Sequence, residues 1–432
     1  MTVRWTCTSI LPYLLRNIVV IWRGPPGTSA WPRAARTTIE GRTSRRAYIH
    51  VERGWCLVGN ATIRCRACRS TAGEVVLDLG TQPAWDHMPP LTDPLPDPAH
   101  RLRMWWCHDC WLAQLVEDAG GVEEITGVEP RAMLEQTERS IARMGEQRLL
   151  RAGATVVEFG SPHGGSWLPQ LTGHGLIAAA GPAGADVVID FYGLLHEPDQ
   201  DASLRARVDA LAPGGTLVVQ LHSFATVLRH SQWYDLRHGH FAYWSVPALD
   251  RALRRHGLGV HRAWWYPMAG GTVLVTATRS PEPDTATLEL MEAERRDGVC
   301  SAERVRGLQE DAASAAELRA WLVGEQAAGR LVLGYGAASR SVPLVSHAGI
   351  DADLLPAVAD ASPAKQGKRM PGTTIPIVSP AELVDRAPDR VLLFLAGLAD
   401  EVRGALPGIE SAGGRWVVLD PGPRVIDLVA TG

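Results

Sequence analysis

Two CxxC pairs constrain this chain more than any other feature of its sequence. Cys65 and Cys68 form the first pair, Cys107 and Cys110 form the second, and 38 residues separate them. Each pair lets two thiolates bind one ion, and two pairs complete the tetrahedral four-thiolate shell that zinc adopts in structural sites. The spacing therefore predicts a structural zinc module whose closed shell leaves no position for catalysis. Redox-active pairs and four unrelated core cysteines are the alternatives, and both account less well for the repeated spacing.

Length and charge set the outer limits on what the chain does. Its 432 residues, 46% of them hydrophobic, suffice for about three domains with their own cores. A net charge of -4 gives no overall basic face for nucleic acid. Because zinc thiolates need a reducing compartment, we expect a cytoplasmic protein. The sequence leaves the oligomeric state open.

The first 60 residues differ from the rest in composition. The apolar stretch Ile10–Trp22 is interrupted by Pro12 and Arg16 and is too short to span a bilayer, so no membrane association is expected. The Arg-rich run from Arg33 to Arg46 is typical of loop or disorder. We expect residues 1–60 to be a poorly ordered basic leader, with a targeting peptide as the alternative.

An α/β pattern follows the cysteine module, which we place at residues 61–125. Helical spacing extends over Pro130–Ala152, and the apolar strand Thr155–Phe159 then enters the glycine-rich turn Gly160–Gly165. A strand that enters such a turn is how a Rossmann-like sheet opens towards a ligand. Residues 126–280 are therefore expected to form an α/β core.

Further strands and helices complete the predicted organisation. A turn is expected at Ala212–Gly215, and one or two helices at Thr285–Gln326 within a helical connector, residues 281–328. Residues 329–432 alternate strands and helices and predict a second Rossmann-like α/β domain. The remaining predicted strands are Val187–Phe191, Thr216–Gln220, Val273–Ala277, Leu331–Ala337, Leu355–Val358, Arg390–Leu395 and Arg415–Leu419.

Several short segments of this sequence carry a resemblance to a known family. Besides the cysteine pairs, they are Leu77–Pro83, Cys110–Leu115, Gly334–Ala337, Pro363–Gly367, Pro371–Ile377 and Ser379–Glu382. These segments resemble the sugar C-methyltransferases of antibiotic deoxysugar pathways. The resemblance covers roughly residues 61–428. It implies a zinc module, a methyltransferase-like core and a C-terminal domain. It also implies transfer of a methyl group from S-adenosylmethionine to C3 of a nucleotide-linked 4-keto sugar.

The implied reaction needs a base to remove a proton next to the carbonyl, and histidine is the natural base near neutral pH. The resemblance assigns this chemistry to His196 and His240. The segment Arg237–Tyr243 resembles a family phrase reading Tyr-His-Glu-His-Phe-Ser-Tyr, but Arg237 replaces the first Tyr and Gly239 replaces the Glu. We therefore keep an alternative, a degenerate homologue without methyl transfer. It would bind a nucleotide-sugar as a non-catalytic partner or serve another keto-sugar reaction.

The cofactor side is expected to be truncated. Glu158, Gly160 and Gly164 match the family's first glycine loop. The second strand, Leu176–Ala180, should be followed by an acid that binds the ribose hydroxyls, but glycine and proline follow it instead. Only Gly181–Ala185 connect it to the next strand, whereas a parallel crossover needs a dozen residues or more. The adenosine side of an S-adenosylmethionine site is thus predicted to lack its usual elements.

Substrate contacts are expected from two regions. Arg237 is suited to a substrate phosphate or carboxylate, and the C-terminal domain offers Tyr335, Gly336 and Lys365, which the resemblance connects with the nucleotide-sugar. An alternative for the histidine-rich segment is a second metal site. Its candidate ligands are His222, His230, His238 and His240.

Overall fold

The computed structural model describes residues 62–84, 88–117, 130–162, 164–181, 183–268, 270–420 and 422–426, and the backbone of residues 20–21, 38–39, 47–51 and 54–58. The chain divides into two compact units, Met1–Arg64 and Cys65–Gly432. In the first unit, the backbone of four short strands forms one antiparallel sheet of order β1-β4-β3-β2. They are β1 Val20–Ile21, β2 Thr38–Ile39, β3 Ala47–Val51 and β4 Gly54–Val58. The remainder of the predicted leader lies outside the described residues.

The cysteine module is built on an antiparallel sheet whose fourth strand comes from a distant part of the chain. β5 (Gly73–Pro83), β6 (Ala99–Cys107) and β7 (Ala113–Leu115) follow one another in sequence. The edge next to β7 is completed by β12 (Ala242–Tyr243), which gives the order β12-β7-β6-β5. The segment that carries His240 is therefore tied directly to the cysteine module.

The α/β core has a six-stranded sheet of order β13-β14-β11-β10-β8-β9, in which only β14 runs antiparallel to the other five strands. Its strands are β8 Thr155–Phe159, β9 Ile177–Ala178, β10 Ala185–Phe191, β11 Leu211–His222, β13 Gly259–Tyr266 and β14 Thr272–Thr278. Its helices are α1 Arg131–Glu146, α2 Leu168–Gly173, α3 Gln200–Asp209, α4 Phe224–Arg229 and α5 Val246–Arg254. Apolar side chains such as Val156, Ile189, Val218 and Leu274 pack together in its core.

The truncation of this core is confirmed. β9 has two residues and forms the sheet edge, and it pairs only with Thr155 and Val156 at the start of β8. Residues 179–184 then lead to β10 on the other side of β8, and the described ones contain no helix or strand. The connection from β9 to β10 can be this short because β9 has only two residues and pairs only with the start of β8. Among the residues that the structure describes, no helix, strand and helix extend the sheet beyond β9.

Two details of the core differ from the sequence prediction. The turn predicted at Ala212–Gly215 is wrong, because these residues lie within β11. They form a bulge, where the pairing with β10 shifts from Ala185–Leu211 to Val187–Thr216 and Gly214 adopts a φ of 80°. The strand β13 was not predicted.

The connector contains three helices, not one or two. They are α6 Thr285–Arg296, α7 Ala302–Asp311 and α8 Ser314–Ala327. The first break falls at Gly298, whose φ of 92° is left-handed and suits glycine. No helix in the described part of the chain is long and apolar enough to cross a membrane.

The C-terminal domain is a second Rossmann-like unit, as predicted. Its sheet has the order β17-β16-β15-β18-β19-β20, with only β20 antiparallel to its neighbour. The strands are β15 Val332–Tyr335, β16 Val358–Ala359, β17 Ile377–Val378, β18 Arg390–Leu393, β19 Arg415–Leu419 and β20 Pro423–Val425. The helices are α9 Ser341–His347, α10 Pro380–Asp385, α11 Ala399–Ala405 and α12 Pro407–Ser411. The strand predicted at Leu355–Val358 begins only at Val358.

Candidate functional site

The four cysteines converge on one point. The Sγ atoms of Cys65, Cys68, Cys107 and Cys110 all lie within 4.8 Å of one another. The Cys65–Cys110 and Cys68–Cys107 sulfur pairs are 3.4 and 3.5 Å apart. Four Zn–S bonds of about 2.3 Å in a tetrahedron place sulfurs roughly 3.8 Å apart, so the cluster fits zinc. Hydrogen bonds to Cys107 raise the pKa of Cys65 and of Cys110, so metal binding must displace protons there.

The two cysteine turns are built alike. In the first, the N–H of Arg69 donates to the carbonyl of Cys65, and in the second the N–H of Trp111 donates to that of Cys107, each over 3.0 Å. Arg69 and Trp111, which directly follow the second cysteine of each pair, both have a φ of 65°. This left-handed residue closes each turn so that both sulfurs of a pair face the same point.

A side chain from the first cysteine turn reaches the histidine-bearing loop. Arg66 lies between the cysteines of its pair, and its guanidinium stacks 4.7 Å from the centroid of the Phe241 ring. Its Nε also donates to the carbonyl of Leu115 over 3.0 Å. Phe241 in turn donates its N–H to the carbonyl of Leu195 over 2.7 Å. The metal turn, the His240 loop and the His196 loop are thus one connected assembly.

The two predicted catalytic histidines come together at the carboxyl end of the core sheet. His196 ends a short 3-10 turn after β10, and His240 lies in the loop before β12. Their ring centroids are 4.4 Å apart. His222 is the last residue of β11 and is predicted from the sequence only as a candidate metal ligand. Its ring stacks on that of His240, with the two ring centroids 6.3 Å apart. His196 and His222 lie close together because β10 and β11, after which they come, are neighbours in the sheet.

The tautomer of His196 follows from its hydrogen bond. Its Nδ1 lies 3.2 Å from the carbonyl oxygen of Gly239, which can only accept, so Nδ1 carries the proton and Nε2 the lone pair. Burial, and then the nearby charge of Arg237, lower the pKa of His196 to about 3. The ring is therefore neutral throughout the physiological range.

Arg237 belongs to a buried charge cluster that the sequence analysis did not foresee. Its Nη1 donates to the carbonyl of Asp235 at 2.9 Å and lies 3.5 Å from that residue's Oδ1. The same Oδ1 forms an ion pair with Nε of Arg340, which lies 3.3 Å away. Arg340 comes from the C-terminal domain, just before α9. Two guanidiniums from two domains thus share one carboxylate.

His222 and His240, together with Asp235 and Arg237 of this cluster, line one pocket. Its volume of about 320 Å³ includes space that is open to solvent. Its polar lining comes from His222, Asp235, Arg237, His240 and Tyr243. Its apolar lining comes from Leu195, Leu221, Phe224, Val227, Ala242 and Trp244. The pocket therefore combines a proton acceptor, charge and an apolar wall.

The alternative of a second metal site is not supported by the geometry. His238 points its Nε2 at the carbonyl of Arg101, 3.1 Å away, and His230 points its Nδ1 at Asp420, 3.2 Å away. In the described part of the chain, only the four cysteines form a group with metal-ligand geometry. His240 instead lines the pocket, whereas His238 contacts β6 of the cysteine module.

The predicted cofactor residues lie at the end of β8. Glu158 accepts from Ser166 Oγ at 2.5 Å and from the N–H of Trp167 at 2.7 Å. Gly164 has a φ of 83°, and there is open space where Gly160 would carry a Cβ. The His163 between them lies outside the described residues. Glu158 thus accepts hydrogen bonds that position its own loop.

S-adenosylmethionine fits these residues in one half only. The carboxylate and glycines at the end of β8 suit the methionine half. On the adenosine half, no acid follows β9, and the sheet ends there. The loops after β8 and β10 also approach closely, since a Cβ at Gly193 would lie 2.8 Å from the carbonyl oxygen of Gly160. The residues predicted to contact the methionine half are therefore in place at the end of β8, although both oxygens of Glu158 already accept hydrogen bonds within its own loop, and the usual adenosine half is lacking.

The predicted substrate residues of the C-terminal domain have structural partners. Tyr335 is buried in that domain's core, with its ring 6.3 Å from Trp416. The N–H of Gly336 donates to the carbonyl of Ala359 at 2.7 Å. Lys365 Nζ lies 3.0 Å from the carbonyl of Ala337 and 3.2 Å from Asp360 Oδ2. Their substrate role stays a prediction, and these contacts hold the turn that precedes Arg340.

Comparisons with known proteins agree with this geometry at both ends of the second unit. Residues 65–120 match the family described as "Putative zinc binding domain", and residues 267–421 match the C-methyltransferase C-terminal domain. The resemblance to C-methyltransferases is confirmed. The C-methyltransferase NovU of Streptomyces niveus is 30% identical over 249 residues, which are 55% of this chain and 57% of NovU. The chain thus matches little more than half the length of that relative.

Solved structures of methyltransferases resemble about a third of the chain. The 1,6-didemethyltoxoflavin-N1-methyltransferase of Burkholderia thailandensis is 18% identical with a TM-score of 0.25, covering 35% of this chain and 80% of that one. The N-methyltransferase NodS of Bradyrhizobium japonicum is 15% identical with a TM-score of 0.26, covering 36% of this chain and all of NodS, 100%.

Proposed function

We propose that this protein is an S-adenosylmethionine-dependent C-methyltransferase that acts on a nucleotide-linked keto-deoxysugar in natural-product biosynthesis. One observation carries the proposal, namely that His240 lines a pocket at the carboxyl end of the core sheet and lies beside His196 there. The same function is supported by the matched zinc-binding and C-terminal domains and by the similarity to the C-methyltransferase NovU.

His240 acts as the base in this proposal. It is buried beside His196 and lines the pocket, where it can accept the proton from the carbon next to the sugar carbonyl. His196 has a lowered pKa and accepts a proton poorly, but its bond to the Gly239 carbonyl fixes the loop that carries His240. Removal of the proton leaves an enolate at that carbon. Transfer of the methyl group from a bound S-adenosylmethionine to this carbon would break the S–CH3 bond and release S-adenosylhomocysteine. The apolar wall keeps water away from that carbon.

The two cofactors have different tasks. S-adenosylmethionine, when bound next to Glu158 and Gly160, supplies the methyl group. Zinc, held by Cys65, Cys68, Cys107 and Cys110, fixes the module against which the His240 loop packs, and it takes no part in the chemistry because its shell is closed.

Mass spectrometry tests the proposal directly. The purified chain is incubated with S-adenosylmethionine and dTDP-4-keto-6-deoxyglucose, and the sugar is expected to gain the mass of one methyl in place of one hydrogen. The His240→Gln variant is the matched negative control. Absence of any methylated product with thymidine- and uridine-linked keto sugars would count against the activity.

A homologue without methyl transfer is the second candidate. The close approach of Gly193 to Gly160 and the missing acid after β9 favour it. Calorimetry with S-adenosylmethionine and S-adenosylhomocysteine separates the two candidates. Heat with either ligand supports the methyltransferase, and no heat with both leaves nucleotide-sugar binding as the function to test.

A further inference from the structure

The short 3-10 turn that follows β10 and ends at His196, here the His196 turn, holds the His240 loop from both sides. The N–H of Phe241, which follows His240, donates to the carbonyl of Leu195 over 2.7 Å. The carbonyl of Gly239, which precedes His240, accepts from Nδ1 of His196 over 3.2 Å. Because both neighbours of His240 are bonded to this turn, the position of the turn determines where the base lies.

Gln200, the first residue of α3, fixes the His196 turn through every polar atom of its side chain. The residue is completely buried. Its Nε2 donates to the carbonyl of Leu194 at 2.7 Å and to that of Glu197 at 2.6 Å, at the two ends of the turn. Its Oε1 accepts from Nε1 of Trp244 over 3.1 Å. A glutamine amide has two N–H donors and one oxygen, so both donors are used on the turn.

These three bonds require a glutamine amide in one orientation. A flipped amide would place its oxygen against two carbonyl oxygens and its NH2 group against the N–H of Trp244. Ionised glutamate has no donor for the two carbonyls, and methionine, which has a similar length, has no donor and only a weak acceptor. Buried polar groups without a partner are costly, so neither residue type could replace Gln200 without disturbing the turn.

Trp244 connects the same glutamine with the segment that carries His240. It directly follows β12, is buried and lines the pocket. Its carbonyl accepts from the N–H of Phe224, at the start of α4, over 3.0 Å. Gln200 therefore joins the His196 turn to the His240 segment at a further point, beyond the two bonds of Gly239 and Phe241.

Asp190 holds the beginning of the His196 turn on the core sheet. This buried residue of β10 accepts from the N–H of Leu194 at 3.0 Å through Oδ1 and from Nε of Arg207 at 2.7 Å through Oδ2. Arg207 lies on α3, the helix that begins with Gln200. The turn is thus fixed by Asp190 at its first residue only, whereas Gln200 spans it from end to end.

We propose that Gln200 is a positioning residue, which sets the place of His240 in the pocket without touching the substrate. This role rests on the proposed function, because it takes His240 as the base. Loss of the amide loosens the His196 turn at the end that Asp190 does not hold, and the His240 loop loosens with it. Proton removal then slows, because a base must lie within hydrogen-bond reach of the proton that it takes. Substrate affinity changes little, since Gln200 makes no contact with the substrate.

Hydrogen exchange of the backbone amides in the full, zinc-loaded chain tests the positioning itself. In Gln200→Met, the amide of Phe241 is expected to exchange at least about tenfold faster, because its bond to Leu195 opens more often. Amides of β8 and β11 should keep their rates, which excludes a general loss of stability. Mass spectrometry of peptides from each region measures these rates.

Gln82→Met is the matched control. Gln82 is a buried glutamine of β5 that donates to the carbonyl of Leu79 over 2.6 Å, at the sheet edge opposite β12. Its replacement also removes a buried amide, but it should leave the exchange of the Phe241 amide unchanged.

Exchange of the substrate's own proton tests the link to the reaction. The chain is incubated with dTDP-4-keto-6-deoxyglucose in deuterated water, and NMR follows the loss of the proton next to the carbonyl. Gln200→Met is expected to lower the maximal rate by about 10- to 100-fold, because a small displacement of a catalytic group has an effect of this size. The sugar concentration that gives half the maximal rate should change by less than about threefold. Gln82→Met should keep both values.

Two results overturn the role of Gln200 and leave the proposed function intact. One is an unchanged exchange rate of the Phe241 amide in folded Gln200→Met. The other is a rise in the half-saturating sugar concentration with an unchanged maximal rate, which would place Gln200 in substrate binding. If the unmodified chain exchanges no substrate proton, His240 is not a base for this sugar, and the proposed function fails together with the positioning role.

The unmodified chain decides if Gln200→Met does not fold. The amides of Phe241 and Leu194 should then show equal protection in it, because the turn and the loop open together. Lower protection of Phe241 than of Leu194 would show that the His240 loop opens without the turn, and it would overturn the inference.

Discussion

Arg66 in the first cysteine turn stacks its guanidinium 4.7 Å from the ring centroid of Phe241, the residue that follows His240. The residue thus connects the metal centre with the histidine-bearing loop, and the pairing of β7 with β12 makes the same connection through the backbone. A structural ion that takes no part in the chemistry can therefore still determine where His240 lies. The zinc module is part of the pocket's architecture.

Replacing Arg66 tests this connection. Arg66→Lys keeps the charge but loses the planar stack and the Nε bond to Leu115, so we expect a loss of about 1–2 kcal/mol in the free energy of unfolding. Ligand affinity at the pocket should fall as well, because the His240 loop loosens. Urea unfolding and calorimetry with the preferred nucleotide-sugar measure the two effects.

A second arginine of similar geometry provides the control for Arg66. Arg251 lies 4.0 Å from the ring centroid of Trp111, in the other cysteine turn, and its stack does not involve the His240 loop. Arg251→Lys should lower stability by a similar amount yet leave ligand affinity unchanged. Equal losses of affinity in both variants would show that the effect is general destabilisation.

Metal removal gives a second prediction. Cys107→Ala is expected to lose the bound zinc and to unfold the cysteine module, since three thiolates no longer close the shell. Cys300→Ala is the control, because this half-buried cysteine lies outside the cluster and should retain one zinc per chain. Metal analysis and circular dichroism measure both. A zinc-free Cys107→Ala chain with an intact module would contradict the structural role.

Elements whose ends are marked by residues close in sequence could be predicted from the sequence. The strands Thr155–Phe159 and Arg415–Leu419 begin and end where the apolar runs do, because glycines and charged residues limit those runs. The cysteine spacing likewise predicted the metal cluster, since two short turns determine its geometry. The absence of the usual crossover after β9 could also be predicted, because too few residues lie between β9 and β10 to form it.

Contacts between distant segments could not be predicted in this way. The strand β12 has only two residues and pairs with β7 far earlier in the chain, so no periodic pattern indicates it. The pairing of Arg340 with Asp235 joins two domains and depends on how they pack. Gly336 is a predicted contact of the nucleotide-sugar, but its N–H donates to the carbonyl of Ala359 in the neighbouring strand. A glycine motif alone does not reveal where its amides point.

The histidine pair gives a prediction that is independent of the cofactor. In deuterated water, the chain should catalyse exchange of the proton next to the carbonyl of the nucleotide-linked 4-keto sugar that it binds best. His240→Gln should slow this exchange by about 10²–10⁴-fold, the range typical of a general base. NMR follows the exchange directly. His174→Gln is the control, because this residue is exposed and pairs with Glu138 far from the pocket, and an unchanged rate in His240→Gln would exclude His240 as the base.

Glu294 on α6 gives the last prediction, a pH dependence of stability. Its buried carboxylate accepts from the N–H of Val246 at 2.6 Å and from Ser223 Oγ at 3.3 Å, and burial raises its pKa to about 7. In the unfolded chain the same group titrates at its ordinary value of 4.5. Between these values the folded state binds more protons, so this group's contribution to stability is lost as pH rises from 4.5 through 7.

Glu294→Gln removes this pH dependence while keeping the shape and one acceptor oxygen. The variant is therefore expected to gain free energy of unfolding relative to the unmodified chain as pH rises, reaching at most about 3 kcal/mol above pH 7. Urea unfolding at several pH values between 5.5 and 8 measures the difference. Glu292→Gln on the same helix is the control, because that carboxylate is exposed and should cause little change. A difference that stays constant across this range would mean that Glu294 does not titrate there, and that its bonds to Val246 and Ser223 keep it ionised despite burial.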